Sequence, residues 1–149
     1  MSLAVTTVCK SIAALHIDGV TIKDLDKIPP VAERLMPILF PVPNGEVSNF
    51  SATRESFGGG SSMLANVEYD LNYLFLYDKI GGGRTGLDWE KDRVTKWMDI
   101  CDAILEIDTF SGGVDIWPVG SMLFSTYDDP AGNHYLGCAM TFHVLEFWR

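Results

Sequence analysis

Two long stretches of this chain, Ala65 to Ile80 and His134 to Trp148, alternate their side chains with the two-residue period of a β-strand. In the first, Val67, Tyr69, Leu71, Tyr73, Phe75 and Tyr77 share one face, while Asn66, Glu68, Asp70, Asn72, Leu74 and Leu76 share the other. In the second, Leu136, Cys138, Met140, Phe142 and Val144 line one face, opposite the small residues Gly137, Ala139 and Thr141. Strands of this length commit much of the chain to a broad sheet. A sheet that is apolar on both faces for part of its length needs a cover on each. The pattern therefore points towards assembly rather than catalysis.

The rest of the chain supplies the expected partners of that sheet. Leu3, Val8, Ile12 and Leu15 recur at helical spacing behind Ser2, a capping residue, and Asp18-Gly19 closes this N-terminal helix. Val20 to Lys23 is a brief strand. Pro29-Pro30 bars a helix just before it and permits one after, and Pro37, Pro41 and Pro43 hold Ile38-Leu39-Phe40 extended. Val47 to Phe57 alternates loosely into Gly58-Gly59-Gly60-Ser61-Ser62, which makes a long hairpin with the strand that follows. Asp88 caps a long helix with Val94, Trp97, Met98, Cys101, Ile104 and Leu105 on one stripe. Two short strands flank Pro118, and Asp128 to Asn133 is a dense turn signal. The expected fold class is α+β: a mainly antiparallel sheet with a long hairpin, packed against one long helix and an N-terminal helix, in a single domain over residues 1–149.

Composition narrows the functional classes. Twenty acidic against 11 basic residues give a net charge of −9, so the chain lacks the basic footprint of a nucleic-acid binder. Cys9, Cys101 and Cys138 are scattered among apolar neighbours without a C-x-x-C or zinc spacing, which reads as reduced thiols in a reducing compartment. The apolar stretch Leu3 to Ile17 has no basic leader and is interrupted by Lys10, so it does not read as a signal peptide. No run reaches the roughly 18 apolar residues of a membrane span.

Candidate chemistry is sparse. Gly81-Gly82-Gly83-Arg84-Thr85-Gly86 sits between a strand and a helix, as phosphate-cradling loops do, but it lacks the P-loop lysine and the G-x-G-x-x-G spacing. His16, His134 and His143 are far apart; His134 falls in a loop, and His143 falls on the strand face opposite the core. No serine lies in G-x-S-x-G. Asp128-Asp129, with Asp115, offers carboxylates to a hard cation, although adjacent acids before a proline are the ordinary chemistry of a solvated turn. Among the aromatic residues Trp148 is the hardest to bury and suits a subunit contact.

In order, the chain runs from an N-terminal helix to the Gly19-Val20-Thr21-Ile22-Lys23 strand and the proline-bounded segment from Ile28 to Pro43. A glycine-tipped hairpin, one long helix and the terminal strand His134 to Glu146 follow. In this layout the chain resembles, along nearly its whole length, the tail terminator proteins of long-tailed bacteriophages. The resemblance rests on layout and texture rather than on an invariant motif. It implies a structural virion protein without catalysis, cofactor or metal: a subunit of a hexameric ring that caps the tail tube, ends its polymerisation and joins it to the head-completion or neck proteins. The implied partners are further copies of the chain, the tail tube protein and a head-completion or neck protein. DNA would pass through the ring without specific binding, and assembly would take place in the host cytoplasm. Candidate subunit contacts are Phe57, Met63 and Leu64 at the hairpin tip, Arg84 in the glycine loop and Trp148 at the terminal strand.

Three other readings stay open. Another neck or tail-tube ring protein would share the same habits. A small-molecule-binding α+β protein would instead enclose a sizeable cavity, and a hydrolase or isomerase using Asp115 or Glu68 would place a carboxylate of raised pKa in a cleft.

Overall fold

A computed structural model describes residues 5–23, 37–42, 45–57, 61–79, 86–107, 114–120, 124–128 and 132–147. In chain order its elements are α1 (Val5–Ala13), β1 (Thr21–Ile22), β2 (Ile38–Pro41), β3 (Val47–Phe57), β4 (Ser61–Lys79), α2 (Gly86–Leu105), β5 (Val114–Val119), β6 (Phe124–Asp128) and β7 (His134–Phe147).

All seven strands join one sheet whose spine is the antiparallel pair β4–β7, in register from Asn66↔Phe147 to Lys79↔Tyr135. Each spine strand divides its outer edge between two further strands. β3 and then β2 pair along β4, while β5 and then β6 pair along β7. β1 adds to β2 in the parallel sense. Register shifts interrupt β3 between Ser48 and Ser51, and interrupt β4 at Ala65, opposite Thr53 and Arg54, and between Leu76 and Asp78. Such bulges bend a strand and raise its local twist.

This architecture corrects the expected fold class. More than half of the described residues are strand and about a quarter are helix, and the sheet is curled and mixed. The chain is mostly β, with two short helices, rather than an α+β mainly antiparallel sheet packed on one long helix. The reason lies in lengths and partners, which alternation does not report. At about 1.5 Å per residue α2 extends about 30 Å, half the roughly 60 Å over which the 19 residues of β4 extend. The parallel contact rests on only two residues, Thr21 and Ile22, whose polarity pattern carries no information about strand direction.

Both helices contribute to the core on one face of the sheet. Val8 and Ile12 of α1 and Ile100 and Ile104 of α2 are fully buried against Tyr69, Leu71, Phe75, Phe142 and Val144. The buried stripe of α2 is rotated from the expected one. Arg93, Ile100 and Ile104 are buried, whereas Met98 and Leu105 are more than half exposed. Lys96 Nζ donates to the Asp18 carbonyl at 2.7 Å and ties α2 to the turn after α1. Tyr77 Oη donates to Asp92 Oδ2 at 2.5 Å and ties the same helix to β4. On the opposite face Ile38, Phe40, Leu74, Leu76 and Tyr135 form a second buried apolar cluster. Among the described residues, no helix is long and apolar enough to cross a membrane.

The two spine strands approach closely at Gly137, opposite Leu76. A Cβ there would lie 2.3 Å from the Phe75 carbonyl oxygen, a backbone atom that cannot swing aside. Gly137→Ala is expected to destabilise the fold by about 1–3 kcal/mol, the usual cost of forced overpacking, read as a lowered thermal midpoint. An unchanged midpoint would show that the two strands separate at this point without penalty.

Candidate functional site

The second face of the sheet changes character midway along β4. Beyond the buried Leu74 and Leu76 it carries Asn72, Asp70, Glu68 and Asn66, flanked by Thr141, His143 and Leu145 of β7 and by Asp115 and Trp117 of β5. This half is partly solvent-facing. A one-residue slip of β4 would carry these groups into the core and Tyr69 to the surface, so register and polarity specify one another.

His143 is the centre of the polar half. Its Nδ1 lies 2.8 Å from Asp70 Oδ1 and its Nε2 lies 3.1 Å from Glu68 Oε2, so in the doubly protonated ring both nitrogens donate to carboxylates. The Trp117 ring lies over the imidazole, with centroids 4.9 Å apart. Asp70 receives a second hydrogen bond at 2.8 Å from Asn49 Nδ2. Asn72 donates to the Gly45 carbonyl and to Ser48 Oγ, and accepts from Thr141 Oγ1. These bonds run from β7 through β4 to the first residues of β3. There Asn49 adopts φ 56°, in the left-handed region that Asn tolerates better than most residues. The bulge turns the next residue, Phe50, to the helix-bearing side, where its ring lies 5.3 Å from that of Tyr69 and stays 55% exposed.

On the other flank of the spine, the edge of β7 passes from β5, whose last pair is Val119↔Thr141, to β6, whose first is Phe124↔Cys138. At this change of partner lies a partly open cleft of about 160 Å³, lined by Trp97 and Cys101 of α2, Pro118 and Val119 of β5, and Ala139 and Met140 of β7. Burial, helped by neighbouring Asp102, pushes the Cys101 thiol up to about 11, so it is neutral near pH 7. Cys138, pushed up to about 12 by burial, is equally inert.

Those of the residues singled out from sequence that the structure describes lie mainly on β3, β4, β5 and β7. Phe57 lies in β3 opposite Ser61, and Met63 and Leu64 lie in β4 opposite Glu55 and Arg54, in the part of the hairpin beyond β7. Arg84 and Trp148 lie outside the described residues. His134 opens β7 rather than a loop and pairs with Asp128 across the β6–β7 ladder. Asp115 is exposed on β5. No group of three or more His, Cys, Asp or Glu side chains among the described residues is arranged to hold a metal. Asn49, Asp70 and Trp117, which organise the polar relay, carry no catalytic or metal-binding motif; Asn49-Phe50-Ser51 matches a glycosylation sequon by pattern alone, and the signals for the relay are the polar face of β4 at Asp70 and the lapse of alternation at Ser48-Asn49-Phe50. No protein-family model matches the chain, and no curated protein is significantly similar to it.

Burial raises the pKa of Asp70, but the hydrogen bonds from Asn49 and His143, together with the His143 charge, outweigh it and hold the carboxyl below its ordinary 3.8. A carboxyl depressed in the folded state stabilises the fold above its unfolded pKa, and that contribution is lost as pH falls through the folded value. Asp70→Asn should therefore cost about 1 kcal/mol at pH 7, a solvent-screened value. The gap from wild type should close as pH falls from about 5 towards 3. Chemical denaturation across that range measures it, and a gap independent of pH would show that the Asp70 charge plays no part.

Proposed function

We propose that this chain is a ring-forming structural subunit of a bacteriophage tail, of the terminator class: it caps the tail tube, ends its growth and presents a docking surface to the head-completion or neck proteins. The observation that carries this reading is the distribution of exposed apolar side chains on a chain whose core is already filled. Phe50 projects from the bulge on β3, Val119 ends β5, Phe147 ends β7, and Met98 and Leu105 lie seven residues apart on the outer side of α2. Aromatic and Met side chains left at the ends and flanks of a sheet suit contacts with other subunits.

The resemblance in layout supports the terminator assignment over other ring proteins of the neck or tube. The net charge of −9 suits a ring whose bore lets DNA slide past without holding it. Such a protein would assemble in the host cytoplasm and end in the virion. Among the described residues the cleft beside α2, at about 160 Å³, is smaller than the roughly 300 Å³ at which ligand pockets begin, and it lends a small-molecule binder no support.

Light scattering after size exclusion over a range of concentrations, followed by negative-stain imaging, tests the proposal. The expected outcome is a closed ring with a central hole, hexameric as the resemblance implies, formed alone or on purified tail tubes. A chain that stays monomeric and also fails to add to tubes would overturn it.

A further inference from the structure

We infer that Asp70 is the latch of an acid-released switch. Its carboxylate holds the Asn49–Phe50 bulge in the position that lays Phe50 on Tyr69, and protonating it frees the bulge and the ring while the rest of the sheet stays paired. The switch belongs to the single chain and does not depend on what that chain assembles into.

The moving part is small and bounded. Two residues of β3, Asn49 and Phe50, stand opposite one residue of β4, Tyr69, between the pairs Ser48↔Asp70 and Ser51↔Glu68. Bulges of this kind re-aim a side chain without ending the ladder. Ahead of the bulge Asn72 pins the chain: its side chain donates to the Gly45 carbonyl and to Ser48 Oγ, and its backbone donates to the Glu46 carbonyl at 2.8 Å. A change confined to Asn49 and Phe50 therefore leaves the pairs on either side in place. Phe50 is already 55% exposed, with its ring 5.3 Å from that of Tyr69, so its release uncovers one ring contact and no core side chain of β3.

The closed position is held against a backbone preference. Asn49 sits at φ 56°, a region that Asn tolerates but does not favour. What holds it there is the bond from Asn49 Nδ2 to Asp70 Oδ2 at 2.8 Å. A hydrogen bond to an ionised carboxylate is about twice as strong as one to a neutral acceptor, so a proton on Asp70 weakens the restraint while the backbone cost remains. The same proton removes the charge that His143 Nδ1 meets at 2.8 Å on the other carboxylate oxygen.

The direction of the switch follows. Burial pushes the Asp70 carboxyl up, but the hydrogen bonds from Asn49 and His143 and the His143 charge outweigh it and hold the group below its ordinary 3.8. The latch is closed at neutral pH and opens as pH falls through that lowered value. Linkage also runs the other way: removing the Asn49 bond must raise the Asp70 titration. Among the described residues the other charged groups around Asp70 are Glu68 on β4, His143 on β7, Asp115 on β5 and Glu46 just ahead of β3. The experiment has to separate Asp70 from them.

Solution NMR of the whole chain, from about pH 6 to about pH 2.5, does so. It follows the Asp70 carboxyl, the Asn49 side-chain amide and the Phe50–Tyr69 ring contact, with the backbone amides of Tyr73 and Phe142 as the check on the β4–β7 ladder. The first three are expected to change together, with one midpoint below 3.8, while the two ladder amides keep their folded shifts. Asp70→Asn, neutral at every pH, should show a weakened ring contact already at about pH 6 and no further response to acid. Asn49→Gly adopts the left-handed backbone freely, so it should keep the bulge without the bond, raise the Asp70 midpoint and uncouple the ring contact from it. A ring contact that ignores the Asp70 titration, or an Asp70→Asn contact equal to wild type at about pH 6, would overturn the latch. An unshifted Asp70 midpoint in Asn49→Gly would overturn it too, by assigning the response to another group. Should the whole sheet unfold before Asp70 titrates, the Asp70→Asn comparison at about pH 6 decides alone.

Discussion

The β4–β7 ladder is the interaction on which everything else in this molecule depends. Every other strand except β1 pairs directly with one of these two, and β1 is held through β2. The ladder also sets both faces. Its odd positions in β4 and even positions in β7 present Tyr69, Tyr73, Phe75, Phe142 and Val144 to the helices. Fully burying side chains of this size is worth about 1.5–3 kcal/mol each, so register on one face alone is strongly specified. Gly137 shows how closely the two backbones approach, because no side chain fits between it and the Phe75 carbonyl.

The same register places an acid–imidazole–acid row on the opposite face, where it couples strands rather than filling a core. Glu68 and Asp70 are like charges two residues apart on one strand, and His143 stands across from Asp70 with a ring nitrogen towards each. The imidazole stands between the two carboxylates, with one ring nitrogen within hydrogen-bond distance of each. It also orients the Asp70 carboxylate so that its other oxygen meets Asn49. The left-handed backbone at Asn49 carries a conformational cost, and the Asp70 hydrogen bond helps to offset it. A polar group on one face thereby governs where an aromatic ring emerges on the other.

Much of this was legible in the sequence where period and chemistry coincide. The faces of β4 and β7 follow their alternation residue by residue, because a strand with a buried face cannot hide its period. The polar half of β4 and the placement of His143 away from the core follow from the same count. Pairing partners are another matter. Nothing in Thr21-Ile22 announces a parallel neighbour, and nothing in the chain states that two strands share each flank of the spine. The stripe of α2 departs from its hydrophobic pattern because Arg93, a charged residue, takes a buried position while Met98 and Leu105, both apolar, face outward. Hydrophobicity alone assigns those three residues the wrong way round. The Asn49 bulge is hidden in the sequence for a related reason: a two-residue lapse in alternation looks like a loose strand until its register with β4 is known.

The division of each flank between two strands also shapes the edges of the sheet. Where one strand gives way to the next, the spine edge loses its neighbour, and on the β7 flank α2 crosses behind that gap and turns it into a cleft with walls. On the β4 flank the change of partner falls between Leu71 and Tyr73, and there β3 begins with Val47 and its bulge. The two flanks are thus built on one plan but end differently, one in a recess and the other near a projecting ring. A sheet that was smooth along both edges would invite indefinite edge-to-edge pairing. Broken edges of unlike shape leave only short, interrupted rows of unpaired backbone groups, which is one way a sheet limits such pairing.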